Sequence, residues 1–306
     1  MTVLVRDFRP ADAEGWVRVR RAALPYMITT PEQVVADLTG APAARRYRML
    51  VAEEDGEIIG TAQVGLAHDS PEPGSAFCNP YVHPDRTGRG AGTLLLRTAE
   101  EYLAMAGATT VYTWVPDTPG DRAFAEKHGY APSRPAHFLH LDLANGSLPP
   151  RQEPPAGVEL RTGADFAGDP RPLFEADAET TADEPSDTPA RFEDYEEWLA
   201  DTWRAPGLDH HLTSVVVADG EVAAFSAART DGAGRYGSAM TGTRRAHRGR
   251  GFAKLAKNDS LHRARAAGCT DAYTGNDAGN GPMLAINHWF GYEICATEVR
   301  HARRIG

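Results

Sequence analysis

Thr87-Gly88-Arg89-Gly90-Ala91-Gly92 and Arg248-Gly249-Arg250-Gly251-Phe252-Ala253 each place glycines where a strand-like stretch gives way to a helix-like one. A strand that runs through glycines into a helix start presents several peptide N–H groups with no carbonyl partner. Backed by the positive end of the helix dipole, such a row of donors holds an anion of the pyrophosphate kind. Neither turn is a dinucleotide fingerprint or a nucleotide P-loop. Thr93 stands where G-x-G-x-x-G needs its last glycine, and no G-K-[ST] follows. Arg244, Arg245, Arg248 and Arg250, with His247, add a basic cluster beside the second turn. Few aromatics are interleaved with it and the chain is acidic overall, so it suits a phosphorylated small ligand better than a nucleic acid.

Other chemistry is poorly supplied. His137 and His140 fall on opposite faces of a strand, which is poor for one metal, and His210-His211 lies in a loop. No H-E-x-x-H or G-x-S-x-G occurs, so neither a zinc site nor a serine-hydrolase elbow is expected. Cys78, Cys269 and Cys295 fit no zinc or redox spacing. With no signal-peptide pattern and no apolar run of membrane length, the expectation is a cytoplasmic protein that spans no membrane.

The elements that carry the turns repeat. In the first half, strands are predicted at Val3–Phe8, 49–52, 58–66 and 75–82. After the first turn Ala91, Leu94, Leu95, Thr98, Ala99, Tyr102, Leu103 and Ala106 mark a helix by their spacing. A strand at 110–115, a short helix stopped by Gly129 and a strand at 137–143 follow. The second half runs in the same order, with a helix from Phe252 to Ala267 and a closing strand at 294–300. Gly56 matches Gly220, Gly90 matches Gly251, and Gly129-Tyr130 matches Gly291-Tyr292, at offsets of 164, 161 and 162 residues. Offsets that steady indicate a duplication. The expected division is a first domain over 1–146, a Pro-rich linker over 147–157 and a second domain over 158–306.

At these residues the chain resembles the GNAT superfamily of acyl-CoA-dependent N-acyltransferases, and in particular its tandem members. The first half has Val82-His83-Pro84 followed by Gly90-Ala91-Gly92, with Thr87 at the position of the family's Arg or Gln. The second half has the full Arg248-x-x-Gly251-x-Ala253, then Asn280, Met283 and Gly291-Tyr292. The resemblance implies an α/β (mixed α+β) chain of two GNAT-like domains. Each would be a bent mixed sheet flanked by helices, with two central parallel strands splayed around the pantetheine of acetyl-CoA, and no metal is implied.

It further implies cofactor contacts from Thr241, Gly242, Thr243, Arg248, Gly249, Arg250, Gly251, Phe252, Ala253, Asn280 and Asn287. In the first half the corresponding residues are Val82, Gly88, Arg89, Gly90, Ala91 and Gly92. The family's helix tyrosine, which gives a proton to the departing thiolate, is replaced by Asn287 in one half and Ala125 in the other. An amide cannot titrate, so Tyr236, Glu179 and His288 stand as candidate acid–base residues, and the second domain is expected to be catalytic.

The net charge of −10 is concentrated. Between Glu175 and Asp201 stand eleven acids and one base, Arg191, and the rest of the chain is neutral. One reading is a solvated face. The other is a negative field at the acceptor pocket that draws a cationic amine. The expected activity is direct transfer of an acetyl group from acetyl-CoA to a primary amine of a small cationic molecule. The alternatives are a non-catalytic CoA-binding protein and a decarboxylase-like activity on acyl-CoA.

Overall fold

The computed structural model describes residues 2–305 apart from 69, 71 and 185–193. The chain forms two compact units, one of Met1–Ala136 with Ala296–Gly306 and one of His137–Cys295.

In unit 1 the order is β1 (Leu4–Asp7), α1 (Ala13–Ala23), α2 (Pro31–Gly40), β2 (Arg48–Glu54), β3 (Glu57–Leu66), β4 (Ser75–Val82), α3 (Ala91–Met105), β5 (Thr110–Pro116), α4 (Pro119–Lys127) and the start of β6 (Ala131–Asp142). In unit 2 the rest of β6 is followed by β7 (Val158–Thr162), α5 (Arg171–Thr181), α6 (Tyr195–Trp198), β8 (Ser214–Ala218), β9 (Glu221–Thr230), β10 (Arg235–Thr243), α7 (Phe252–Ala266), β11 (Asp271–Asp277), α8 (Gly281–Trp289) and the first residues of β12 (Glu293–Arg304). The sheets read β1-β2-β3-β4-β5-β12 in unit 1 and β6-β11-β10-β9-β8-β7 in unit 2.

The boundary differs from the sequence division. β12, from the end of the chain, pairs antiparallel with β5, from Glu298↔Pro116 to Arg304↔Thr110. The end of β6 supplies Leu139 and Leu141, and the next residue Leu143, to the core of Tyr236, Leu261, Phe290 and Tyr292. Alternation marks both stretches as strands, but it does not say which sheet takes them. Residues 147–157 contain no regular element, yet they pack on α7. Asn258 accepts from the Gln152 N–H at 2.8 Å and donates to the Pro150 carbonyl at 3.2 Å, and Arg151 meets Asp259 at 2.6 Å.

The repeat is conformational as well as sequential. Asp55-Gly56 and Asp219-Gly220 both turn with positive φ, and Gly129 and Gly291 both close a helix with positive φ. α3 buries Ala91, Leu95, Leu96, Ala99 and Leu103 against the sheet, following the spaced apolar residues. α7 is wetted on little of its surface, being buried at Phe252 and continuously from Leu255 to Leu261. No helix among the described residues is long and apolar enough to cross a membrane.

Candidate active site

Both units contain a parallel strand pair that separates. In unit 2, β10 and β11 pair from Arg235↔Asp271 to Ser238↔Thr274, and both strands continue beyond. A bulge between Ser238 and Met240 in the β9–β10 ladder falls where that pairing stops. Past it, Thr241, Gly242 and Thr243 pair with β9 on one edge only. In unit 1, β4 and β5 pair from Ser75↔Thr110 to Phe77↔Tyr112, after which the Asn79 side chain accepts from the Trp114 N–H at 3.0 Å.

Each gap opens into a cavity below a glycine turn. The unit 2 cavity, about 700 Å³, is lined by Ser238–Thr243, by Arg248, Gly249 and Gly251–Lys254, and by Thr274–Asn276 and Asn280 among others. Gly251, at φ 80°, is the N-cap of α7 and no side chain caps that helix. A Cβ added at Gly249 or Gly251 would meet nothing within 4 Å, so the face of the turn is open. The N–H groups of the first turn of α7 therefore point into free space, which is the geometry an oxyanion of a phosphate needs. The unit 1 cavity, about 840 Å³, is lined by Val82, Gly88, Gly90, Ala91 and Gly92, and α3 likewise lacks a side-chain cap.

The expected cofactor residues divide. Thr241, Gly242, Thr243, Arg248, Gly249, Gly251, Phe252, Ala253 and Asn280 border the unit 2 cavity. Asn280 also caps α8, accepting from the Met283 N–H at 3.3 Å. Arg250 does not border the cavity. Its guanidinium meets His247 Nδ1 at 3.1 Å and lies 4.6 Å from the Phe252 ring centre. Arg89 is likewise turned to Glu54, at 2.7 Å. Asn287 is fully buried behind the cavity wall, accepting from Lys257 Nζ at 2.5 Å and donating to Asn276 Oδ1 at 2.6 Å.

The candidate acid–base residues are not brought together. Tyr236 is completely buried, its hydroxyl is 2.7 Å from Ser260 Oγ, and it does not border the cavity. Burial raises its pKa, and it packs in the core of unit 2. Glu179 is held by Arg244 Nε at 2.9 Å and by the Arg245 N–H at 2.6 Å, where it fixes the loop after β10. His288 contacts the Tyr292 carbonyl through Nδ1 at 3.1 Å and also lies outside the cavity lining.

Spacing could not show how the acidic stretch is used. Asp183 takes Arg245 through Nε at 2.9 Å and Nη2 at 2.6 Å, and it also takes Arg248. These two guanidinium groups hold its carboxyl down to about 2. The basic cluster is therefore paired with Glu179 and Asp183, which offsets the field of these two acids. Asp177 is buried as the acceptor of the Trp198 indole N–H at 2.8 Å. Glu184 borders the cavity and carries no arginine partner among the described residues. Asp187, Arg191 and Glu193 lie outside the described residues.

Sequence reasoning missed Lys257, which borders the cavity with 1% of its surface exposed. Its signal was present, because a lysine stands on the face shared by Ala253, Leu261 and Ala264.

Comparison with known proteins agrees with this architecture. The model of the Acetyltransferase (GNAT) family matches residues 16–130 and again 175–291. A mycothiol acetyltransferase of Clavibacter michiganensis subsp. michiganensis is 30% identical over 279 residues, covering 88% of this chain and 87% of that protein. A mycothiol acetyltransferase of Nocardia farcinica is 36% identical over 164 residues, 53% of this chain and half of that protein's length (50%). Among solved structures, a tandem GNAT protein from the clavulanic acid biosynthesis pathway superposes with a TM-score of 0.74 at 22% identity, over 100% of this chain and 99% of that one.

Proposed function

The chain belongs to the GNAT acetyltransferase family and is an N-acetyltransferase, and from that premise we propose that unit 2 moves the acetyl group of acetyl-CoA directly to a primary amine of a small molecule. The observation that carries this reading is the uncapped N-terminus of α7 facing the gap between β10 and β11. The pyrophosphate would lie on the N–H groups of residues 249–253. Arg248 and Arg245 stand beside it, once released from Asp183. The pantetheine amides would extend the free edge of β10 at Thr241–Thr243, which β11 no longer pairs. The cavity has room for the chain of such a substrate and has a few placed polar groups.

An ammonium has no lone pair, so the acceptor must lose a proton before it attacks. Glu184 borders this cavity without an arginine partner among the described residues, and it is assigned that proton. A cationic small amine suits it, because the ammonium is attracted to the group that then deprotonates it. Unit 1, with Thr87 at the arginine position and Asn79 bridging its strand gap, is assigned a supporting role. The test is thiol release from acetyl-CoA with a panel of primary amines, beginning with the acceptor of mycothiol acetyltransferases and including an amino sugar and a polyamine. Release that requires an amine supports the proposal. Release without amine, or binding without release, overturns it in favour of chemistry on the acyl-CoA alone or of a binding protein.

A further inference from the structure

Acyl transfer leaves a thiolate, and a thiolate departs more readily when a proton reaches it. The residues bordering the unit 2 cavity offer few groups that can supply one. Arginine does not titrate, and Asp183 is held ionised between two guanidinium groups. Lys254 places Nζ over Trp289, 4.1 Å from the ring centre. Lys257 points into the buried wall.

The surroundings of Lys257 can be named element by element. On α8, Asn287 Oδ1 accepts from Nζ at 2.5 Å, and on β11 Asn276 accepts from Asn287 in turn. Before β12, the Tyr292 ring centre lies 4.9 Å from Nζ. On β10, the Tyr236 hydroxyl is engaged with Ser260. On α7 itself, Asp259 faces Ser214, Arg151 and Arg263. No carboxylate among the described residues offsets the charge, and burial lowers this lysine to about 7. Such a group gives up its proton readily at neutral pH, and an ordinary thiol, at about 8.5, takes it.

We propose that Lys257 is the acid of the transfer, held at the cavity wall by Asn287, and that its ammonium protonates the departing thiolate. This rests on unit 2 being the acetyl-CoA site. The amine nitrogen bonds to the carbonyl carbon while the carbonyl pair moves to oxygen. That pair then returns, the C–S bond breaks with its electrons on sulfur, and a proton passes from Lys257 Nζ to sulfur. The products are the amide, the CoA thiol and a neutral lysine, which regains a proton from water. The nitrogen gives up two protons, the ammonium's before attack and one more as the amide forms, and Glu184 takes each in turn and passes it to water.

The experiment uses the full chain with Lys257→Met and Lys257→Gln, the latter keeping a donor for Asn287. Acetyl-CoA affinity, by calorimetry, is expected within about three-fold of wild type. kcat should fall by about 10²- to 10⁴-fold. The falling limb of the wild-type pH profile near neutrality should disappear in both variants. A second readout needs no turnover. The ultraviolet thiolate signal of bound CoA should appear at lower pH in wild type than in either variant. Wild-type kcat in both variants, or an unshifted thiolate titration, overturns the assignment of Lys257. Acetyl-CoA binding that survives Gly251→Glu unchanged would instead overturn the placement of the substrate in unit 2.

Discussion

Replacing Lys257 by methionine tests the burial of that ammonium independently of its chemistry. In the folded chain the group titrates at about 7, against the ordinary 10.5, because burial penalises the charged form. In that window the unfolded chain holds a proton that the folded chain lacks. Wild-type stability therefore rises with pH there and is flat below it, where both states are protonated. At about 1.36 kcal/mol per pH unit, the full gap corresponds to about 5 kcal/mol of destabilisation at low pH. Methionine removes that term and leaves Asn287 Oδ1 without its donor, a loss of about 1–3 kcal/mol that does not vary with pH. The variant should therefore be more stable than wild type near neutrality. Its advantage should shrink by about 2 kcal/mol between about pH 7 and about pH 9. Urea unfolding of both proteins at several pH values reads this directly. A difference that stays constant with pH would show that Lys257 is solvated in solution, and the reasoning from its burial would fail.

Asp183→Asn should release Arg245 and Arg248, tightening acetyl-CoA binding several-fold at low salt and much less at about 1 M salt, where the screening length is about 3 Å; calorimetry at two ionic strengths checks it. Gly251→Val forces a left-handed backbone on a branched residue and pushes a side chain into the open turn, at a cost of about 1–2 kcal/mol. It should abolish acetyl-CoA-dependent turnover, whereas Gly90→Val in unit 1 should leave turnover largely intact. Gly242→Ala would place a Cβ 2.6 Å from Thr180 Oγ1 and 2.7 Å from its Cβ, so α5 must shift. A loss of about 1–3 kcal/mol in chemical denaturation, with weaker acetyl-CoA binding, is the expected result.

What the chain alone determined is what depends on near neighbours. Glycines followed by a helical apolar stripe mark the starts of α3 and α7, because positive φ and the 3.6-residue period are local properties. The duplicated turns followed from the same signals, and the family resemblance that they carried implied the two strand gaps. Tertiary structure decided everything that depends on distant partners. Asp183 and Glu179 lie more than sixty residues from the arginines they hold (|i−j| of 62 and 65), so spacing could not show that these two acids are held in ion pairs. The placement of β12 beside β5 required a partner at the other end of the chain. Burial sorted the titratable residues. Tyr236 went into the core and Lys257 to the cavity wall, because a side chain's exposure is set by what packs over it and not by its own type.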